Sequence, residues 1–277
     1  MLLRRLNFLK IFLGLIFLSA INYECTFKVN AEDFSKVQLN KELEKGNFLI
    51  GLKQYLGGQN DKFSENNQIT FSTTKGFLNL NSSNGIKNKS KKINIIWKQI
   101  PLKKPYSIKR LVFGPYSSYE SAQKQAKNLN EKGFQAIVAY PKNWEVWIPY
   151  EGNLANLDGK YKILKKDYDF QIIPFLKNDY NFLRLQGPIY ISSNEEIKIN
   201  DINYGKHFFF VQDSYGTWTL VQKIKFDDYL EGVLPHEIGS NSPLEALKAQ
   251  AVIARTWGMY NSGRFNMDKY HLCITTQ

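Results

Sequence analysis

The sequence predicts an α+β fold: a strand-rich, mostly antiparallel body, one long helix and a small α/β module. Short apolar and β-branched runs, separated by Gly, Asn and Ser clusters, recur along most of the chain, and this spacing is typical of antiparallel strands. Residues 106–150 instead follow a strand, helix, strand, strand order, which indicates a small module with its own sheet. After this module, a long helical pattern begins only at Ser242.

The composition indicates a folded protein that attracts polyanions. The 277 residues are 43% hydrophobic and 14% aromatic, which is enough for one large or two small domains and excludes a disordered chain. The net charge of +12 favours nucleic acid, an anionic membrane surface or an acidic wall polymer as a neighbour. Composition alone does not choose among these three.

Residues 1–31 predict a secretory signal peptide. Arg4 and Arg5 supply the positive start, residues 11–21 form a short apolar run, and Ala31 ends a small-residue cleavage site. A membrane anchor is the alternative, but the apolar run is about half the roughly 20 residues that a spanning helix needs. We therefore expect an exported protein of the periplasm or cell wall, membrane-associated if the segment stays uncleaved, with no nucleic-acid partner.

The strand predictions begin at Gly46. The segments GNFLIGLKQYLGG, QITFSTTKGFLNL and KKINIIWKQI are apolar and β-branched runs bounded by turn residues, which indicates strands. Residues 81–92 are rich in Ser, Asn and Lys, and we expect a solvated loop there. After Gly159 the short runs return, with predicted strands at residues 170–173, 189–192, 197–199, 207–212 and 218–224.

The module at residues 106–150 contains one predicted helix and three predicted strands. The helix begins after Ser117 and Ser118 and ends at Gly133, with Ala and Leu side chains at helical spacing. The strands are expected at residues 108–113, 136–140 and 144–148.

The long C-terminal helix has a clear start signal in the sequence. Ser242 is the expected N-cap, Pro243 the first helical residue, and Glu245 the second half of a capping box. The helix is expected to run to about Tyr260. Its core-facing residues are predicted from helical spacing to be Leu244, Leu247, Ala251, Ala254 and Trp257.

Residues 229–260 read YLEGVLPHEIGSNSPLEALKAQAVIARTWGMY, and this segment resembles the stage II sporulation protein D (SpoIID/LytB) family. The family signature is a YL-x-GV-x-x-x-E stretch followed by an EALKAQAVAART helix. Residues 187–189 and the GLKQYLGG segment are also similar to that family. The resemblance implies a discontinuous SpoIID-like domain at residues 46–105 and 151–277, which we expect to be C-terminally incomplete because the family's motif continues beyond Gln277.

The resemblance implies a lytic transglycosylase that cleaves peptidoglycan glycan strands, preferably peptide-free ones, to anhydro-MurNAc ends. Glu237 matches the family's catalytic acid, and Arg255 matches a position that the family also uses functionally. One carboxyl can serve as both acid and base in this reaction, unlike the carboxylate pair of ordinary glycosidases. We expect a partly desolvated setting that favours the protonated carboxyl of Glu237, provided by Val233, Leu234 and Ile238.

Each of these residues also has a simpler interpretation. Glu237 is alternatively a surface carboxylate in a loop before the long helix, and Arg255 a charge on the solvated face of that helix, paired with a nearby acid. Asp227 is predicted to cap a short helix that starts before Tyr229. His236 is predicted to be structural.

His271 and Cys273 are similar to a His/Cys-containing stretch in which some family members hold zinc. Two ligands do not make a zinc site, because structural zinc takes four protein ligands and catalytic zinc takes three plus water. We therefore predict no metal and no cofactor. Because Cys25 lies inside the signal segment, no internal disulfide is predicted either.

The module at residues 106–150 resembles a SPOR domain, a small fold that binds peptide-free glycan strands. The resemblance lies in the segment VFGPYSSYESAQKQAKNL. Tyr116, Trp144 and Trp147 are the predicted stacking surfaces for sugar rings, and their alternative role is that of core aromatics.

The sequence is compatible with three functions. The first is the lytic transglycosylase. The second is a non-catalytic peptidoglycan-binding protein that the SPOR-like module localises on the wall. The third is an activator of a separate amidase, with that amidase as its partner.

Overall fold

The computed structural model describes residues 36–58, 67–150, 157, 159–179 and 181–274. The predicted signal segment at residues 1–31, the three C-terminal residues and part of the segment after residue 150 lie outside these ranges. None of the helices in the described ranges combines the length and the apolar character that crossing a membrane requires.

The described residues form α-helices and strands of a mixed fold. The helices are α1 (Lys36–Glu44), α2 (Tyr119–Glu131), α3 (Phe226–Ile238) and α4 (Leu244–Asn261). The strands are β1 (Asn47–Leu56), β2 (Gln68–Ser72), β3 (Leu78–Ser82), β4 (Lys87–Ser90), β5 (Lys92–Tyr116), β6 (Ile137–Ala139), β7 (Trp144–Pro149), β8 (Tyr161–Lys177), β9 (Phe182–Arg184), β10 (Ile189–Ser192), β11 (Ile197–Ile199), β12 (Ile202–Tyr204), β13 (His207–Gln212), β14 (Trp218–Lys225) and β15 (Leu272–Cys273).

The strands form two sheets. Sheet A has the order β15-β1-β14-β13-β10-β3-β4, and sheet B has the order β12-β11-β2-β5-β7-β6, with β8 beside β5 and β9 beside β8. The pairs are antiparallel apart from β1 with β15. The predicted strand-rich, antiparallel α+β fold is confirmed.

The main core lies between the two sheets. Alternate side chains of β3 and β10 point inward, because successive residues of a strand face opposite sides of a sheet. Phe208 and Phe210 of sheet A meet Phe71 of sheet B, with ring centroids 6.1 and 5.8 Å apart. These contacts make the body a two-layer sandwich.

A second core covers the outer face of sheet A beneath α1. Leu39 of α1 packs over Leu49 and Val221 of the sheet, together with Phe265 and Tyr270 from the C-terminal segment. α1 was not predicted from the sequence, because its pattern of apolar residues is short.

The module at residues 106–150 has its own core, but its sheet is continuous with the body. β5 is 25 residues long and crosses the predicted boundary, pairing with β2 in its first half and with β7 in its second. β8 pairs with β5 on both sides of that boundary. The expected separate sheet is therefore wrong, because the long β5–β8 ribbon belongs to both parts.

The helix of the module follows its sequence signals. Ser118 is the N-cap, and its hydroxyl accepts a hydrogen bond from the Ser121 amide at 3.2 Å. Ala122, Ala126 and Leu129 are buried in the module core. Gly133 follows the helix with φ of +89°, a conformation that glycine adopts without strain. The predicted start, end and buried face of this helix are confirmed.

Residues 81–92 are part of a hairpin and not the expected solvated loop. Residues 81–82 end β3, and residues 87–90 form the edge strand β4. The prediction was wrong because both faces of β4 are solvated, so its sequence lacks the apolar alternation that marks a half-buried strand.

The start of α4 also differs from the prediction. The helix begins at Leu244, and the Ser242 hydroxyl donates to the Ile238 carbonyl at 2.5 Å. Glu245 accepts from Lys248 at 2.8 Å. The capping box is therefore wrong, because Ser242 closes the end of α3 and does not begin α4.

The predicted core face of α4 is only partly correct. Ala254 is buried, and Leu247 and Ala251 are half-buried. Leu244 is 65% exposed and Trp257 is 39% exposed. Since α4 packs mainly on α3, its buried stripe is narrower than the sequence pattern suggests.

Candidate active site

The α3–α4 hairpin, which carries the predicted catalytic residues, is anchored on the edge of sheet A. Phe226 and Tyr229 of α3 pack against Phe48 of β1, with ring centroids 4.4 and 5.1 Å away. From α4, Gly258 approaches the same ring so closely that a Cβ atom would lie 2.8 Å from Phe48 Cζ. One buried aromatic ring therefore fixes both helices of the hairpin.

Glu237 lies in the last turn of α3. The expectation of a loop is wrong, because α3 continues through Pro235 and reaches Ile238. The Glu237 carboxylate accepts a hydrogen bond from the Gln250 side-chain amide of α4 at 2.5 Å. This bond joins the end of α3 to the middle of α4.

The expected desolvated setting of Glu237 is also wrong. The side chain is exposed, and its apolar neighbours Val233, Leu234 and Ile238 are only half-buried. Because the carboxyl projects from the surface of the hairpin, the chain alone does not remove it from water.

Tyr229 is a neighbour of Glu237 that the sequence analysis did not assign to the site. Burial raises the pKa of the Tyr229 phenol, and the charge of Glu237 raises it further. The two residues are eight positions apart on α3, a little over two turns, so they lie about 80° apart around the helix axis. The helical period of α3 could have revealed this pair if the helix had been predicted at its full length.

Arg255 and Asp227 form an ion pair across the hairpin, with Nη2 and Oδ1 2.5 Å apart. Both side chains are largely exposed, so the pair contributes at most about 1 kcal/mol to stability. Asp227 does not cap α3 as predicted, because Lys225 occupies the N-cap position and Asp227 lies in the first turn. Glu237 and Arg255 thus share the hairpin but bind different partners.

Trp147 does not present an open face to sugars. It is 5% exposed, and its indole N–H donates to Glu145 at 2.7 Å. The Arg110 guanidinium covers its ring at 4.0 Å, and Tyr215 packs edge-on at 5.7 Å. The predicted stacking role of Trp147 is therefore wrong, since these side chains from the module and the body enclose the ring.

Trp144 and Tyr116 are half-buried. Trp144 packs against Tyr140 and Phe265, with ring centroids 4.4 and 5.6 Å away, and so joins the module to the body. Tyr116 packs against the module core, and burial raises the pKa of its phenol. A stacking role for these two residues stays a prediction.

His271 has both ring nitrogens bound to backbone groups in a fully buried site. Nδ1 accepts from the Leu49 amide at 3.0 Å, so a neutral ring carries its proton on Nε2. Nε2 then donates to the Leu39 carbonyl at 3.1 Å. Burial lowers the pKa of this imidazole to about 4, so the ring is neutral near pH 7. Cys273 accepts a hydrogen bond from Gln54. Across the described ranges, no group of three His, Cys, Asp or Glu side chains is placed to hold a metal ion.

A search of known proteins finds one relative of this chain. An uncharacterized protein of Brachyspira hyodysenteriae is 34% identical over 130 residues, an alignment that covers 42% of this chain and 34% of that relative. The chain therefore spans about a third of that relative's length. No solved structure matches the chain.

The family described as "Stage II sporulation protein" (SpoIID) matches residues 214–277, which include all of α3 and α4. This range contains Glu237, Gln250 and Arg255 but none of the module at residues 106–150, whose likeness to a SPOR domain stays a prediction. The segment from residue 214 to 277, with the hairpin that carries Glu237, is therefore the part of the chain that matches the SpoIID family.

Proposed function

We propose that the chain is a peptidoglycan lytic transglycosylase that cleaves glycan strands to anhydro-MurNAc ends, with Glu237 as its single acid and base. The SpoIID family is associated with cell-wall lytic activity, and Glu237 lies within the matched segment. The observation that carries the proposal is the exposed Glu237 carboxylate, which a neutral Gln250 amide holds on the surface of the hairpin.

The proposed reaction uses one carboxyl twice. A protonated Glu237 donates its proton to the glycosidic oxygen, and the bond between that oxygen and C1 of MurNAc breaks. The Glu237 carboxylate then takes the proton from the 6-hydroxyl of the same MurNAc, whose oxygen bonds to C1 and closes the anhydro ring. The proton that leaves Glu237 is thereby replaced, and no water is consumed.

Because Glu237 is exposed in the free chain, the bound substrate is the group proposed to exclude water from its carboxyl. The Gln250 amide donates a hydrogen bond to the Glu237 carboxylate and so orients it on the surface of the hairpin. A glycan strand lying over the hairpin would exclude water from the carboxyl and favour its protonated form before the first step. Arg255, through its ion pair with Asp227, is proposed to position α4 against α3.

The proposed location is outside the cytoplasm, in the periplasm or cell wall. The net charge of +12 favours an acidic wall polymer as the partner. Peptide-free glycan strands are the proposed substrate, and the module at residues 106–150 is the proposed additional contact with them.

A second candidate function is non-catalytic binding to peptidoglycan, including the activation of a separate amidase. The observation that favours it is the outer side of α4, which presents Val252, Ile253 and Tyr260 at 67%, 60% and 83% exposure. Apolar side chains grouped on a surface favour a protein partner.

The deciding experiment is a digestion with a matched carboxyl control. The full chain is incubated with amidase-treated glycan strands, and the products are analysed by mass spectrometry for anhydro ends. We expect anhydro products from the unaltered chain and from Glu245→Gln, an exposed carboxyl of α4, and a loss of at least 100-fold in Glu237→Gln.

Two outcomes would overturn the catalytic proposal. One is equal product from Glu237→Gln and the unaltered chain. The other is the absence of anhydro ends from the unaltered chain while it still pellets with the strands, which would support the binding function.

A further inference from the structure

The outer face of sheet A beside α1 carries a continuous row of polar and aromatic side chains. Tyr190 pairs with Phe209 and with Asn81, and the next row pairs Ser192 with His207. Since directly paired residues of antiparallel strands share a face, these side chains lie side by side. The inward neighbours Ile189 and Ile191 fill the main core. We call this surface the polar face; its members are Asn79, Asn81, Lys87, Lys89, Tyr190, Ser192, His207, Phe209 and Lys223.

The polar face ends in a groove against α1. The groove has a volume of about 230 Å³ and is lined by Gln38 and Glu42 of the helix and by Tyr190, His207 and Lys223 of the sheet. Tyr190 is 44% exposed, and its ring packs against Phe209 at a centroid distance of 6.0 Å. An exposed ring in a concave site surrounded by hydrogen-bonding side chains is suited to a sugar, which has an apolar ring face and a polar rim.

The charges of the polar face favour an acidic ligand. Lys223 lies in the groove, and Lys87 and Lys89 lie at the far edge on β4. Glu42 is the acid that lines the groove, and its carboxylate lies 3.3 Å from the Lys45 ammonium and 3.9 Å from the Lys223 ammonium. Two lysines share this one carboxylate, so the net charge at the groove is positive.

His207 contributes a hydrogen-bonding group and not a further charge. Burial lowers the pKa of its imidazole, and the neighbouring Lys223 and Lys206 lower it further. A neutral imidazole can donate to one hydroxyl group and accept from another.

We propose that the polar face binds a linear saccharide that carries carboxylates, with one sugar ring against Tyr190 in the groove and the chain crossing the strands toward β4. Four strand spacings separate β14 from β4, a span of roughly 19 Å. At the far end Phe77 is 49% exposed, and the Lys89 ammonium lies 5.2 Å from its ring centroid. This end, like the groove, therefore has an exposed aromatic ring and a lysine.

The polar face and the Glu237 hairpin use opposite faces of sheet A. Leu49 lines the groove, whereas its neighbour Phe48 anchors α3 and α4. Because successive residues of a strand point to opposite sides, the sheet separates the two sites. Saccharide binding at the polar face therefore does not depend on cleavage at Glu237.

Saturation-transfer NMR detects binding of N-acetylmuramic acid to the full chain, and titration measures its affinity. Uncharged N-acetylglucosamine is tested in the same way for comparison. We expect binding of both sugars with preference for the acid. Tyr190→Ala should weaken binding at least tenfold, Tyr190→Phe should retain it within threefold, and Lys223→Met should remove the preference for the acid. The matched control is Phe182→Ala, an exposed aromatic residue of β9 on sheet B with the Lys98 ammonium beside its ring, which should bind as the unaltered chain does.

Each outcome bears on the proposal. Unaltered binding in both Tyr190→Ala and Lys223→Met, or no saturation transfer to either sugar, would overturn it. Glu237→Gln should bind N-acetylmuramic acid normally, so a failure of the catalytic proposal leaves this one standing. Thermal unfolding of Tyr190→Ala and Tyr190→Phe separates a loss of fold from a loss of the ring.

Discussion

Asp268 is a carboxyl that the fold keeps from water. It is 5% exposed, its Oδ1 atom has no hydrogen-bond partner among the described residues, and its Oδ2 atom accepts from the Tyr215 hydroxyl at 3.4 Å. Burial raises the pKa of Asp268, and the nearby Asp213 raises it further, to about 7. Below neutral pH, the folded state therefore keeps the Asp268 carboxyl protonated.

Replacing Asp268 with asparagine should stabilise the protein more at high pH than at low pH. The folded state holds the Asp268 proton between about pH 4 and pH 7, whereas the unfolded state has released it, so this group's contribution is present below pH 4 and is lost as pH rises to 7. The free energy of unfolding of Asp268→Asn, minus that of the unaltered chain, should rise by up to about 1.4 kcal/mol per pH unit in this window.

Urea unfolding of both proteins at pH 5, 6, 7 and 8 measures this difference. The comparison cancels groups that do not interact with Asp268, among them His271, whose lowered pKa acts in the opposite direction below pH 6.5. A difference that stays constant from pH 5 to pH 7 would show that Asp268 is ionised in the fold.

At the scale of elements, the α3–α4 hairpin depends on one close approach. Gly258 lets α4 lie against Phe48, where a Cβ atom would come within 2.8 Å of the ring. Gly232 of α3 has no heavy atom within 4 Å of its corresponding Cβ position. The two glycines therefore serve different purposes within the same pair of helices.

Gly258→Ala and Gly232→Ala should have opposite effects on stability. Alanine favours a helix over glycine by roughly 0.5 to 1 kcal/mol, so Gly232→Ala should stabilise the protein by about that amount. At Gly258 the added methyl group displaces Phe48, and overpacking of about 1–3 kcal/mol should outweigh the gain. Chemical denaturation midpoints at constant slope measure both changes. Equal stabilisation by the two substitutions would contradict the close packing on Phe48.

At the scale of the whole molecule, aromatic and polar contacts join the module to the body. The Tyr55 hydroxyl donates to the Pro141 carbonyl at 2.8 Å, and Arg264 pairs with Glu120 at 2.6 Å. Between these contacts, Trp147 lies against Tyr215 of the body. Together with the shared β5–β8 ribbon, they make the module and body one packed unit.

Trp147→Ala should destabilise the whole protein. Removing a buried tryptophan costs about 3–5 kcal/mol, and because the ribbon and the contacts are shared, calorimetry should still show a single unfolding transition at lower temperature. The control is Trp257→Ala on α4, which is 39% exposed and should cost less. Unchanged stability in Trp147→Ala would instead support an open stacking surface.

The prediction of individual elements depended on how each one is buried. β10 and β11 have the predicted bounds because their inner and outer faces differ and the residues alternate accordingly. β13 also has the predicted bounds, because it is buried on both faces and forms a continuous apolar run. α2 was predicted from its cap and its buried stripe. β4, an edge strand of polar residues, was missed, and α3, which contains Gly232 and Pro235, was predicted only as a short helix.

The sequence by itself determined the α+β class, most strands, the module helix and the SpoIID segment with Glu237, because these depend on local periodicity or on a contiguous motif. The tertiary structure alone decided that Glu237 is exposed and bound to Gln250, that Trp147 is enclosed, and that Tyr190 lies beside Phe209 and Lys223. Burial, pairing and charge at these positions arise from residues distant in the chain, and neither residue spacing nor composition contains those distances.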